Sequence, residues 1–166
     1  AKTVLMNSIN RVKSIGQVHT MLSEDSFGAV DFQSIAEAIV GFVTASWGSG
    51  RSVEVEVEGD PVVLDPKRAS SLALVVNELI TNSLKYAFPN EGTGRVEIRS
   101  HVQDGEVMVM IRDNGVGMPA DFDHERAGSL GMRIVRNLVR TDLKGQFTLK
   151  SDGGTIATIV FPIAPK

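Results

Sequence analysis

The chain has 166 residues, of which 42% are hydrophobic and 22% charged, and its net charge is −3. That composition is ordinary for one soluble globular domain with an adequate core, and without a basic run it offers no electrostatic footprint for nucleic acid. Cysteine is absent, which excludes disulfides and thiolate metal sites and fits a reducing, cytoplasmic setting; no apolar run approaches the ~18 residues of a membrane span.

The chain opens AKTVLMNSIN, without an initiator Met and already inside a helical pattern, which predicts a piece of a longer protein. Leu5, Ile9, Val12, Ile15 or Gly16, His19 and Leu22 recur at spacings of three and four, the signature of a helix with one buried stripe. Asp31 is placed to cap a second helix from about Phe32 to Trp47, with Ile35, Ile39, Phe42 and Val43 inward. SVEVEVEGD alternates strictly and predicts a strand with Val53, Val55 and Val57 on one face, followed by a short VVL strand. Asp65-Pro66 combines an N-cap with a residue set for the first helical turn, and the long helix that it opens carries NELITNSLKYAF, residues 77–88.

RVEIRSHV and EVMVMIR follow as strands joined by a hairpin at Asp104-Gly105. A loop rich in glycine and charge, DNGVGMPADFDHERAGSLG, leads to a helix over about Met132 to Leu143 that ends at Lys144-Gly145 with the glycine as C-terminal cap. QFTLKS, the turn Asp152-Gly153-Gly154 and TIATIVF close the chain as a second hairpin. Helices and strands neither alternate strictly nor segregate, so the expected class is α+β: a two-layer sandwich of a mixed sheet with helices on one face, preceded by a helix that stands apart.

Three features bear chemistry. On the long helix Glu78, Asn82 and Lys85 fall at i, i+4 and i+7, lining one side with a carboxylate, an amide and an ammonium while Leu72, Val75, Val76, Leu79, Leu84 and Ala87 face inward. Such a trio suits Mg²⁺ and phosphate, although taken alone it also fits a solvated helix face. In Asp113-Asn114-Gly115-Val116-Gly117 a strand ends on an acid, and two glycines let backbone approach a flat ligand; an Asx turn uses the same residues. Gly128-Ser129-Leu130-Gly131 precedes a helix, where free amides and the positive dipole end favour an anion, as they would favour any cap.

The ordered set NELITNSLKYAF, DNGVGMP, GSLGMRIV and GGT resembles the ATP-binding domain (Bergerat fold) shared by gyrase, a heat-shock chaperone, mismatch-repair ATPases and sensor histidine kinases, the kinase branch most closely. Within that branch it is similar to soluble-type kinases with an HRVKN-class dimerisation segment, and NRVKSIGQVHTMLSED looks like the second helix of their dimerisation hairpin. The resemblance implies two parts, 1–28 from the hairpin and 29–166 as the ATP-binding domain. It implies ATP and Mg²⁺ as ligands, with Asn82 on the metal, Glu78 ordering water near metal and γ-phosphate, and Lys85 and Tyr86 flanking the phosphates or ribose. Asp113 would read the adenine amine in a pocket shaped by Gly115, Gly117 and Thr155, while Gly128 and Gly131, flanking Ser129 and Leu130, would hinge a short lid.

The family's acceptor histidine sits on the first hairpin helix, so the resemblance implies an acceptor upstream of this chain, a homodimer through the hairpin and a response regulator receiving the phosphoryl group. His19 is the alternative acceptor within the chain; an alignment of Asn10-Arg11-Val12-Lys13-Ser14 with HRVKN would instead imply a kinase that has lost its acceptor, and His101 and His124 are expected to face solvent. Two further readings share the motifs: a serine kinase of the anti-sigma-factor type and a docking domain that has lost ATP.

Overall fold

The computed structural model describes residues 28–46, 52–89, 93–119 and 129–164, together with Gly16 and Thr20. These last two are helical, and the Thr20 hydroxyl donates to the Gly16 carbonyl at 3.0 Å. The rest of the predicted opening helix, with Asn10 and His19, lies outside the described residues, as do Trp47, His124 and Gly128.

The chain runs β1 (Val30–Asp31), α1 (Phe32–Ser46), β2 (Val53–Gly59), β3 (Val63–Leu64), α2 (Pro66–Asn82), a π-helical turn (Ser83–Ala87), β4 (Gly94–Gln103), β5 (Glu106–Asp113), α3 (Leu130–Thr141), β6 (Gln146–Ser151) and β7 (Thr155–Pro162). Five strands form one mixed sheet in the order β2-β4-β5-β7-β6, with β2 parallel to β4 and the other pairs antiparallel. β1 and β3 form a separate small pair.

Local chemistry explains the element ends. Asp31 accepts from the Ser34 amide and hydroxyl, both at 2.9 Å, and so caps α1. Asp65 accepts from the Arg68 amide at 3.1 Å, with Pro66 opening α2. In the β4–β5 hairpin both turn residues, Asp104 and Gly105, take positive φ, 52° and 79°, as a turn matched to strand twist requires.

Alternate residues on β4 and β5 (Val96, Ile98, Val107, Val109, Ile111) meet Leu72, Val75, Val76, Leu79 and Ile80 of α2 in one buried core. Each fully buried aliphatic side chain contributes about 1.5–3 kcal/mol, which is why the two-sided burial of α2 holds it at the centre of the helical layer. The helices cover one face of the sheet. The other carries charge over β2 and β4, where Arg95 bonds Glu56 and lies 3.3 Å from Glu97. His101 is exposed, as expected, and sits 2.8 Å from Asp60.

Three expectations need correction. The long helix does not continue as an α-helix through residue 88: its last turn, Ser83–Ala87, is π-helical, so Lys85 leaves the straight line through Glu78 and Asn82. α3 starts at Leu130, two residues early, so Gly131 is buried in its first turn. The same helix ends at Thr141, and the left-handed residue after it is Lys144 with φ 56°, not Gly145. Glycine is needed at 145 for space, since a Cβ there would overlap the Val160 carbonyl.

Candidate functional site

Asp113 ends β5 and is 2% exposed. Burying a carboxylate without partners is costly, and here both oxygens are engaged. Oδ1 accepts from the backbone amides of Gly115 (3.1 Å) and Thr155 (3.0 Å), and Oδ2 accepts from the Ser83 hydroxyl at 2.9 Å. One side chain thereby ties together the end of β5, the glycine loop after it, the start of β7 and the end of α2.

The loops are built around this point. At Gly115 a Cβ would overlap Ala87, whose carbonyl accepts from the Val116 amide at 3.0 Å. Gly117 has φ +71°, and a side chain there would strike the Ser151 hydroxyl, which itself accepts from the Met118 amide at 3.1 Å. At Gly154 a Cβ would overlap the Asp113 carbonyl. The segment after β5 is therefore pressed against both the π-helical turn and the β6–β7 turn.

The π-helical turn sets the opposite wall. Ser83 is its first residue, which aims the hydroxyl at Asp113, and Asn82 immediately precedes it. Asn82 donates through Nδ2 to the Met132 sulfur at 3.3 Å, so the end of α2 is fixed against the first turn of α3. Ser129 caps that turn by accepting from the Met132 amide at 3.4 Å. Glu78 lies one turn back along α2 and is 7% exposed, so the picture of a solvated helix face does not hold for it. Lys85 is half-buried, and Tyr86, Val116 and Leu130 stand out at the rim, 67%, 68% and 64% exposed.

Of the residues singled out from sequence, Asn82, Asp113, Gly115, Gly117, Ser129 and Thr155 thus belong to one connected set with short bonds between its parts. Three of its members carried no predicted role. Ser83 is a poor helix former beside Asn82 in the predicted long helix, a signal that sequence offers, whereas Met132 and Ser151 give none, because their importance comes from contacts across the fold. Among the described residues no three His, Asp or Glu side chains gather into a metal-binding group.

The Ser71 hydroxyl, bonded to Asp142 at 2.6 Å, holds that carboxyl below its usual range, and the backbone amide of Val102 does the same for Asp60, helped by His101. Among the described residues no helix is long and apolar enough to cross a membrane.

Comparison with known proteins agrees with this layout. The family described as Histidine kinase-, DNA gyrase B-, and HSP90-like ATPase matches residues 67–165, more than half of the chain. The sensor histidine kinase PdtaS of Mycobacterium tuberculosis is 32% identical over 165 residues, 98% of this chain and 33% of that protein. The solved histidine kinase domain of the Erythrobacter litoralis EL346 blue-light-activated kinase superposes with a TM-score of 0.82 at 28% identity, over 93% of this chain and 73% of that one. An anti-sigma F factor of Shouchella clausii is 34% identical over only 65 residues, 38% of this chain, which makes the serine-kinase relationship distant. The chain spans about a third of the length of the curated kinase that it matches. From the α2 motif through the final strand, this chain belongs to the histidine kinase-, DNA gyrase B- and HSP90-like ATPase family, and its ligand is ATP.

Proposed function

We propose that the chain is the ATP-binding catalytic portion of a two-component sensor histidine kinase, working in the cytoplasm and passing the γ-phosphoryl group of ATP to a histidine outside these 166 residues. The observation that carries this reading is the bond from Ser83 to Asp113, which sets the carboxylate at the end of β5 one residue away from Asn82 on the neighbouring helix. A purine on Asp113 and a phosphate tail at Asn82 then belong to one molecule.

The roles follow from donor chemistry. Oδ2 of Asp113 has one bond, from Ser83, and a lone pair left for the exocyclic amine of adenine. Gly115 and Gly117 keep side chains out of the space where a base would lie, and Thr155 holds the carboxylate in place. Asn82, donating through Nδ2, presents Oδ1 for a hard cation. A carboxylate and an amide on successive turns are too few to cage an ion alone, which suits Mg²⁺, a cation that keeps waters and shares phosphate oxygens. When bound, Mg²⁺ supplies neutralisation of phosphate charge. Glu78 orders water beside the phosphates, and Lys85, Tyr86 and the capped N-terminus of α3 with Ser129, Leu130 and Gly131 flank them.

Catalysis in this reading is positioning and charge neutralisation, with an incoming imidazole nitrogen in line with the γ-phosphorus and ADP as the leaving group. Residues 1–28 form part of a dimerisation hairpin, the intact protein is a homodimer, and a response regulator receives the phosphoryl group. The similarity to PdtaS over 98% of the chain supports this assignment.

The test is metal-dependent binding. Asn82→Ala is expected to weaken Mg-ATP binding about tenfold, a 1.4 kcal/mol effect, with ATP in EDTA affected far less. Equal losses with and without Mg²⁺ would contradict the role of Asn82. Adding a polypeptide with the family's histidine hairpin should restore phosphoryl transfer from labelled ATP.

A further inference from the structure

One side-chain atom stands out among the described residues: Nη2 of Arg136, on α3, is buried and has no hydrogen-bond partner. Buried polar groups are satisfied in the great majority of native structures, and a guanidinium N–H without an acceptor costs more than a neutral donor. Arg136 is itself only half-buried, and its neighbours Arg133, Asn137 and Arg140 are exposed, so a short swing would take the group into water. It is held inside instead.

The packing of α3 on α2 says what it waits for. The two helices run antiparallel, fixed at one end by the 2.6 Å bond from Ser71 to Asp142 and at the other by the 3.3 Å contact of Asn82 with Met132. Ser71, Glu78 and Asn82 fall at i, i+7 and i+11, so Glu78 shares the face of α2 that meets α3. Between the two fixed points α2 advances eleven residues and α3 ten, which sets Arg136, one turn from Met132, level with Asn77 and Glu78. Long helical side chains lean back toward the N-terminus, carrying the guanidinium from that level toward Met132 and Asn82.

We propose that Arg136 is a positioning residue of the nucleotide site: its unsatisfied N–H takes an anionic oxygen at the phosphate end, either the Glu78 carboxylate or a phosphate of the bound nucleotide. The inference rests on the ATP-site assignment above. An N–H buried without an acceptor costs stability that pairing with an anionic oxygen recovers, a pattern in which sites are built at the expense of the fold.

Arg136→Met removes the donor and keeps much of the apolar stem. Thermal unfolding without nucleotide should be unchanged or shifted upward, whereas calorimetric affinity for Mg-ATP should fall about tenfold, the effect of one charge-assisted hydrogen bond. Arg136→Lys should recover part of the affinity. Titrating ATP, ADP and adenosine into both R136M and the R136M/E78Q pair separates the two sources. A loss that grows with phosphate number points to phosphate, and a loss absent when Glu78 is already replaced points to the carboxylate. A lower melting temperature with undiminished ATP affinity, or an equal loss for adenosine and ATP, would overturn the proposal. If the wild-type chain binds ATP and R136M matches it, this inference alone fails; if the wild type binds none, the site assignment falls with it.

Discussion

The floor and the rim of the site are built by opposite rules. At the floor, Asp113 is buried, accepts three hydrogen bonds and is crowded by backbone on two sides, so nothing there is free to move independently. At the rim, Tyr86, Val116 and Leu130 expose two-thirds of their surface. A base is flat and constant in shape, and a preorganised floor recognises it with little ordering cost. A phosphate tail changes length during turnover, and residues with few fixed contacts can follow it. In the proposed assignment, fold stability and ligand recognition are coupled at the floor, where the base would lie, and largely separate at the rim.

That contrast can be broken most forcefully at Gly154. Its φ of +133° disfavours any side chain, and a Cβ would overlap the Asp113 carbonyl, so Gly154→Ala is expected to cost about 2–3 kcal/mol in denaturant unfolding and to weaken ATP binding with it. Retained stability would show that the floor is less rigid than described. Ser83→Ala removes one of the three donors to Asp113 and should cost about 1 kcal/mol, with ATP affinity falling in parallel. At the rim, Tyr86→Ala should leave unfolding within about 0.5 kcal/mol of wild type while reducing nucleotide affinity severalfold, a separation that the floor does not permit.

The smallest effect lies at Asp142, away from both regions. Its carboxyl is held below its usual value of 3.8 chiefly by the Ser71 hydroxyl, so the folded state favours the ionised form. The resulting stability is present above that ordinary value and is lost as pH falls through the lower folded one. Ser71→Ala should therefore lower stability slightly at neutral pH and flatten the acid limb of the stability curve below about pH 4. An unchanged acid limb would remove Ser71 as the cause.

Much of this was legible in the amino-acid order because local rules decided it. Asp65-Pro66 opened a helix, Asp104-Gly105 closed a hairpin, and an acid at the end of an alternating strand followed by spaced glycines marked the floor. What was not legible depends on contacts distant in sequence. The π-helical turn widens the end of α2 where Ala87 meets the Gly115–Val116 backbone, and helical periodicity carries no sign of it. Lys144 takes the left-handed conformation expected of Gly145, whose own lack of a side chain makes room for strand β7. The early start of α3 follows from Ser129 acting as the cap, a choice among several small residues that composition alone left open.

The most direct test of the central claim is the nucleotide preference of Asp113→Asn. The substituted amide can keep Oδ1 on the Gly115 and Thr155 amides and turn Nδ2 to Ser83, whose hydroxyl also accepts, so the fold should survive. Calorimetric titration of the variant with Mg-ATP and Mg-GTP is predicted to show ATP affinity reduced about tenfold or more and the preference for ATP over GTP narrowed. Wild-type affinity for ATP with the preference intact would contradict the assignment of Asp113 to the base.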